Sequence, residues 1–190
     1  MKDYPKFAAQ MLRRPRQVMA LAPSSSALAV EMTVGLGPTS GKVVELGAGS
    51  GKITRMILSR GVAASNLTVI ERNAHFAQRL KAQNPGLRVE MMQAEFLSAL
   101  GLQNVTACVS GLPLRTMGPR LQLAVLSAAF EAMAPDGWFA QFSYAPAPPV
   151  HGGVVASLGL ALRRGPIVWG NLPPASVYFY HRQTPRGSFF

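Results

Sequence analysis

From residue 41 onward the chain alternates short apolar runs with amphipathic stretches, and that alternation sets a strand–helix order. Val43–Leu46 reads as a short buried strand, and Ile53–Ser59 continues a helix that starts near Ser50. Leu67–Glu71 reads as the next strand, followed by a helix over Ala74–Gln83 that Asn84-Pro85-Gly86 stops. Leu87–Met91 and Val105–Val109 are the third and fourth strands. Leu121–Ala134 is a helix ended by Pro135-Asp136-Gly137, and Trp138–Tyr144 is a fifth strand. Val154–Leu162 is expected to be helical, with Ile167–Leu172 and Val177–Arg182 as two last strands joined through Pro173-Pro174. Strands separated by helices need crossover connections, so the expected class is α/β: a doubly wound, mostly parallel sheet of seven strands. The final hairpin adds one antiparallel closing strand.

Residues 1–40 differ in character and are set apart from residues 41–190 as an N-terminal helical segment. Pro5 suits a first helical turn, whereas Pro15 lacks the N–H that a continuing helix needs. Between them Phe7, Ala8, Met11 and Leu12 share one face, and Lys6, Gln10, Arg13 and Gln17 share the other. A second short helix follows Pro23, with Ser24–Ser26 as capping candidates.

Composition narrows the function. Hydrophobic residues make up 48% of the 190 and charged residues only 14%, which excludes a disordered chain. Nineteen Lys and Arg against eight Asp and Glu give +11, a balance that favours phosphate-bearing partners, nucleic acid or an anionic membrane. No apolar run reaches the ~18 residues of a membrane span, and Lys2, Lys6, Arg13, Arg14 and Arg16 interrupt any secretory apolar core. The single cysteine, Cys108, is expected to be a small buried residue in a reducing, cytoplasmic setting. His75, His151 and His181 lie far apart without ligand spacing, so no metal is expected.

The chemistry centres on Glu45-Leu46-Gly47-Ala48-Gly49-Ser50-Gly51, between the first strand and the first helix of the alternating region. Glycines there allow a sharp turn and close backbone approach to a ligand, and a helix N-terminus offers unpaired N–H groups. Glu71 follows the next strand, twenty residues past Gly51, where an acid accepts hydrogen bonds from ribose hydroxyls. The spacing is G-x-G-x-G, not the G-x-G-x-x-G of dinucleotide binders. With Glu45 ahead of it, this run resembles motif I of the class I S-adenosylmethionine (SAM) methyltransferases, which have a Rossmann-like sheet. The resemblance implies SAM as cofactor and S-adenosylhomocysteine as product. It places Glu45, Gly47, Ala48, Gly49 and Gly51 at the amino-acid end of SAM, and Glu71 with neighbouring Arg72 at the ribose. Ala94, Glu95 and Phe96 fall at the adenine, with Glu95 in the acidic role, and Ser110 borders the cofactor after strand four.

The acceptor is read from Val109-Ser110-Gly111-Leu112-Pro113-Leu114. Nucleic-acid amino-methyltransferases carry an Asn/Asp-Pro-Pro-Tyr-type motif here, whose aromatic residue stacks on an extruded base. In this chain Ser110 or Gly111 takes the Asn position and Leu114 the aromatic one, so the stacking platform is absent. The Ser-Gly-Leu-Pro-Leu loop is instead similar to that of bacterial phospholipid N-methyltransferases, which convert phosphatidylethanolamine stepwise to phosphatidylcholine. Met11–Pro15, Ala22–Ala29, Gln141–Pro146 and Trp169–Tyr178 agree with it, and the resemblance runs from about residue 7 to 182. It implies a phospholipid substrate, with the Ser110 hydroxyl, the Gly111 carbonyl and Tyr144 positioning the amine. Tyr144 has a second reading, as a buried tyrosine bonded to backbone.

The N-terminal basic amphipathic helix is expected either to dock on an anionic membrane, at ~1 kcal/mol per Lys or Arg near the surface, or to pack as a lid over the SAM pocket. Docking makes the protein peripheral on the cytoplasmic face of the cell membrane, with nucleic acid an unlikely partner. An RNA adenine N6-methyltransferase, on rRNA for example, is the alternative that the positive charge suits equally well. A catalytically idle, SAM-sensing or membrane-binding protein is the reading from another class.

Overall fold

A computed structural model describes residues 25–183, within which the chain forms five α-helices and seven strands. Helix α1 (Ser26–Met32) precedes β1 (Lys42–Leu46), α2 (Lys52–Ser59), β2 (Leu67–Ile70), α3 (Ala74–Gln83) and β3 (Arg88–Glu90). Then come a 3-10 segment (Ala94–Leu100), β4 (Val105–Ser110), α4 (Pro119–Ala132), β5 (Met133–Ser143), α5 (Gly152–Ser157), β6 (Leu160–Val168) and β7 (Ala175–Arg182). The amphipathic stretch over residues 6–17 and Phe189-Phe190 lie outside the described residues.

The strands form one sheet in the order β3-β2-β1-β4-β5-β7-β6. β1 to β5 pair in parallel, and β7 runs antiparallel between β5 and β6. This is the expected doubly wound seven-stranded sheet with its antiparallel closing strand. The central strands are covered on both faces, which is why β1 and β4 are buried almost continuously instead of alternately. On one face α1, α2 and α3 cover Val43, Val109, Ala140 and Phe142; on the other α4 covers Val44, Leu46, Cys108 and Phe139. Ser25 caps α1, its Oγ accepting from Leu28 N at 3.1 Å, and Leu28 and Met32 of this helix have no exposed surface. Burying two side chains of that size stabilises the fold by roughly 1.5–3 kcal/mol each.

Three element boundaries depart from expectation. The helix expected over Val154–Leu162 stops at Ser157, because Gly159 takes a left-handed conformation (φ +59°) and turns the chain. The chain then extends from Leu160, so β6 is Leu160–Val168 and not Ile167–Leu172, and residues 169–174 form the hairpin connection. The third concerns Pro135-Asp136-Gly137, which ends no helix. α4 closes at Ala132, and β5 starts at Met133 with a register irregularity that absorbs these residues.

Candidate functional site

The parallel register brings the carboxyl ends of the strands to one rim. Leu46 pairs with Ile70 on one side and Ser110 on the other, and Ser110 pairs with Gln141. β2 and β3 run outward from β1, whereas β4 and β5 run the opposite way, so the crevice between β1 and β4 is the switch point where open α/β sheets bind ligands.

The glycine loop fills this crevice. Gly47 N donates to Ile70 O and Gly111 N donates to Leu46 O, both at 2.8 Å, so the loops after β1 and β4 are locked to adjacent strand ends. Gly47 has φ +72°, which strains any residue with a side chain, and a Cβ there would lie 2.7 Å from Leu112 Cδ2 and displace that side chain. A Cβ on Gly49 would meet nothing within 4 Å, which marks that side of the loop as open to a ligand. Ala48 is buried, and Gly51 caps α2 in a left-handed conformation.

Two carboxylates support the loop from below. Glu71, 6% exposed, accepts from Gly49 N (2.8 Å) through Oε2 and from Asn73 N (2.7 Å) through Oε1. A carboxylate offers about four acceptor sites, so each oxygen retains a lone pair for a hydroxyl. Glu45 has no exposed surface, and its Oε2 accepts from Thr54 Oγ1 at 2.6 Å. Burial pushes its carboxyl up to about 8; the Thr54 hydrogen bonds oppose that, the Glu71 charge adds to it and Arg55 partly offsets it. Glu45 Oε1 is buried without a hydrogen-bond partner. An orphaned acceptor on a carboxyl carrying a raised proton affinity, beneath an open glycine loop, suits a cationic ligand. Sequence reasoning singled out Glu45 but missed Thr54, whose role depends on how α2 folds back over β1.

The adenine-side residues form a shallower surface. Ala94 is buried, Glu95 half-buried and Arg72 exposed. Phe96 is 56% exposed, and Met91, which sequence reasoning passed over, is 60% exposed just beyond β3. An exposed methionine following a strand end was the available signal.

On the acceptor side, Ser110 is wholly buried and its Oγ accepts from Leu112 N at 3.3 Å, so the hydroxyl folds the loop from inside. Gly111 is half-buried and pressed against the glycine loop: a Cβ there would lie 2.6 Å from Gly47 O. Tyr144 follows β5 at the rim, half-buried, with its ring 5.1 Å from that of Phe142 in an edge-to-face contact. Phe142 belongs to the cluster under α1 and α2, and Tyr144 packs against that cluster.

Gln141 is the acceptor-side residue that sequence reasoning missed as a site residue. Paired with Ser110 and 1% exposed, it donates from Nε2 to Leu112 O (2.9 Å) and Phe142 O (3.2 Å). Its Oε1 is buried and without a partner. A glutamine in the middle of an apolar strand was the signal. Gln141→Leu is expected to free the loop carbonyl and lower kcat/KM by up to about tenfold, from the loss of its one bond to the loop, worth about 0.5–1.5 kcal/mol. SAM affinity, read separately by calorimetry, is expected to stay within about twofold because the variant leaves the glycine loop alone.

Among the described residues no group of three His, Cys, Asp or Glu side chains gathers as a metal site, and no helix is long and apolar enough to cross a membrane. Cys108 is buried, and burial pushes its thiol up, away from nucleophilic character.

No family model matches the sequence. A curated relative, the ornithine lipid N-methyltransferase of Singulisphaera acidiphila, is 28% identical over 154 residues, covering 77% of this chain and 80% of that one. A TehB-like SAM-dependent methyltransferase from Corynebacterium glutamicum superimposes with a TM-score of 0.62 at 15% identity, over 94% of this chain and all of the other. The CcbJ methyltransferase of Streptomyces caelestis gives 0.67 at 14% identity, over 86% and 91%. Aeropyrum pernix fibrillarin, solved with natively bound SAM, gives 0.59 at 10% identity, over 82% and 73%. By sheet order, glycine loop and these likenesses, the chain has the fold of the class I SAM-dependent methyltransferases.

Proposed function

We propose that this protein is a SAM-dependent N-methyltransferase acting on the primary amine of a membrane lipid, phosphatidylethanolamine first. The methyl-transfer half rests on the buried Glu45 carboxyl with its orphaned Oε1 beneath an open glycine loop. The lipid half is supported by the relative named for a lipid N-methyltransferase, which aligns along most of both chains, and by the net charge of +11.

SAM, when bound, supplies a methyl on a positively charged sulfur. Beside that positive charge the Glu45 carboxyl below the loop would give up its proton and pair as the carboxylate so formed, and Glu71 would offer lone pairs to the ribose hydroxyls. The Ser110–Leu114 loop walls the amine side, where the Gly111 main chain orients the amine for in-line approach. Methyl transfer needs a nitrogen with its lone pair free, so a primary ammonium first gives its proton to water at the half-buried loop. Leu112, Pro113 and the buried Leu114 make the loop apolar, which favours the neutral amine.

Ornithine lipid is the second reading, favoured by the name of the relative. It presents a primary amine on a lipid, as phosphatidylethanolamine does. Radiolabelled SAM offered to vesicles of each lipid and to total RNA separates the possibilities. Label is expected in phosphatidylethanolamine and to be lost in Glu45→Ala; label in ornithine lipid alone moves the assignment to that acceptor. Label in RNA alone overturns the lipid reading.

A further inference from the structure

The hairpin between β6 and β7 carries two large apolar side chains that the fold holds out to solvent. Trp169 is 75% exposed and Leu172 65%, with Ile167 of the same hairpin at 40%. Between the first two, Asn171 is 2% exposed and doubly fixed: Oδ1 accepts from Ser25 N and Nδ2 donates to Pro173 O, each at 2.7 Å. A buried polar clamp therefore holds the turn while Trp169 and Leu172 project from it. Isolated exposed apolar residues need no explanation, but a tryptophan and a leucine on one braced turn form a patch.

The position of this turn in the fold gives the patch its direction. β5 pairs with β7 through Ser143 and Ser176, so the hairpin rises from the same rim as Ser110 and Gln141. β7 lies two strands from β4, roughly 10 Å at about 4.8 Å per strand. The rim is also cationic: Lys52 opens α2, Arg115 follows the acceptor loop and Arg120 sits in the first turn of α4. Of the acids at the same rim, Glu45 and Glu71 are buried; Glu90, paired with Arg88, and Glu95 are half-buried on the β3 side, away from the hairpin.

We infer that the β6–β7 hairpin is a membrane-insertion element, with Trp169 and Leu172 entering the interfacial layer of an anionic bilayer and turning the acceptor loop toward the lipid headgroups. Tryptophan has an apolar body and one N–H donor, which suits the headgroup boundary. The rim cations supply charge complementarity to anionic headgroups. This inference rests on the lipid reading of the acceptor, and it assigns docking to a part of the chain other than the N-terminal helix.

Docking is measured on vesicles of phosphatidylcholine and phosphatidylglycerol, which offer no methylatable amine. The protein has two tryptophans, Trp138 and Trp169. Emission of the full chain is expected to shift to the blue and to be quenched by lipids brominated on their acyl chains; Trp169→Phe abolishes both responses and Trp138→Phe keeps them. The pair Trp169→Asp and Leu172→Asp is expected to lower vesicle partition at least about tenfold, since charged residues are costly below the headgroups, while calorimetry finds SAM affinity unchanged. Tryptophan emission that ignores the vesicles, or equal partition of the aspartate variant and the wild type, overturns the inference. Transfer to phosphatidylethanolamine dispersed in detergent micelles tests the reaction separately. A protein that docks but methylates no lipid loses the reaction and keeps the hairpin; one that methylates micellar lipid while its tip variants partition normally loses the hairpin alone.

Discussion

Gly111→Ala is expected to lower kcat/KM by a factor on the order of 10², the loss that a misplacement of about 1 Å at a reacting centre produces. The added Cβ falls 2.6 Å from Gly47 O, a backbone atom that cannot rotate away. Gly111 N is bonded to Leu46 O at 2.8 Å, so the residue cannot retreat without breaking a strand-end hydrogen bond. Either the acceptor loop or the glycine loop must give way, and the first positions the amine while the second faces the cofactor. Overpacking of this kind costs about 1–3 kcal/mol of stability, so the variant is expected to fold with its melting temperature several degrees lower. Gly118→Ala is the control, because a Cβ there meets nothing within 4 Å and its φ is ordinary. Steady-state methyl transfer with calorimetric SAM titration checks both effects. A Gly111→Ala enzyme within about threefold of wild type would mean that the contact between the loops has no bearing on catalysis.

Gly47 and Gly111, which meet in the fold, differ in how far the sequence alone reveals them. The Gly47–Gly51 spacing was legible because its demand is local: positive φ, a turn, and a helix start. The elements from β1 through α3 were legible for the same reason, since each buries a continuous run or one helical face. The importance of Gly111 was half legible. Its place after strand four followed from the pattern, but its contact with Gly47 O exists only once β1 and β4 pair in register. Thr54 and Gln141 belong with it: each acts through a partner nine or more residues away that only the folded sheet brings near. The region after residue 150 misled for a physical reason. Val154–Leu162 has enough apolar residues for one helix, but Gly159 adopts a positive φ and splits it into a helical turn and a strand on the sheet edge. Edge position also explains the mixed polarity of β6, whose outer rows face solvent.

Stability and SAM affinity are expected to run in opposite directions between about pH 5 and pH 8, with Glu45 as the cause. Its carboxyl lies at about 8 in the fold against an ordinary value of 4.5, so across that window the native state holds a proton that the unfolded chain has released. Stability from this group is present in full below about pH 4.5 and is lost as pH rises toward 8, with a slope of up to about 1.4 kcal/mol per pH unit. SAM brings positive charge to the loop above Glu45, which favours the ionised form. Binding therefore releases a proton, and affinity is expected to rise by up to about tenfold per pH unit until pH passes 8. Glu45→Gln keeps the shape and removes the titration. It is expected to be more stable than wild type near pH 8, yet to bind SAM about 10- to 10²-fold more weakly there, the worth of a hydrogen bond to a charged group. Chemical denaturation across pH reads the first effect as a difference between the two proteins, which cancels the titration of other groups. Calorimetry in buffers of different ionisation enthalpy counts the released proton directly. Parallel pH profiles for wild type and Glu45→Gln, with no proton released on binding, would remove Glu45 from the cofactor site and leave it a structural partner of Thr54.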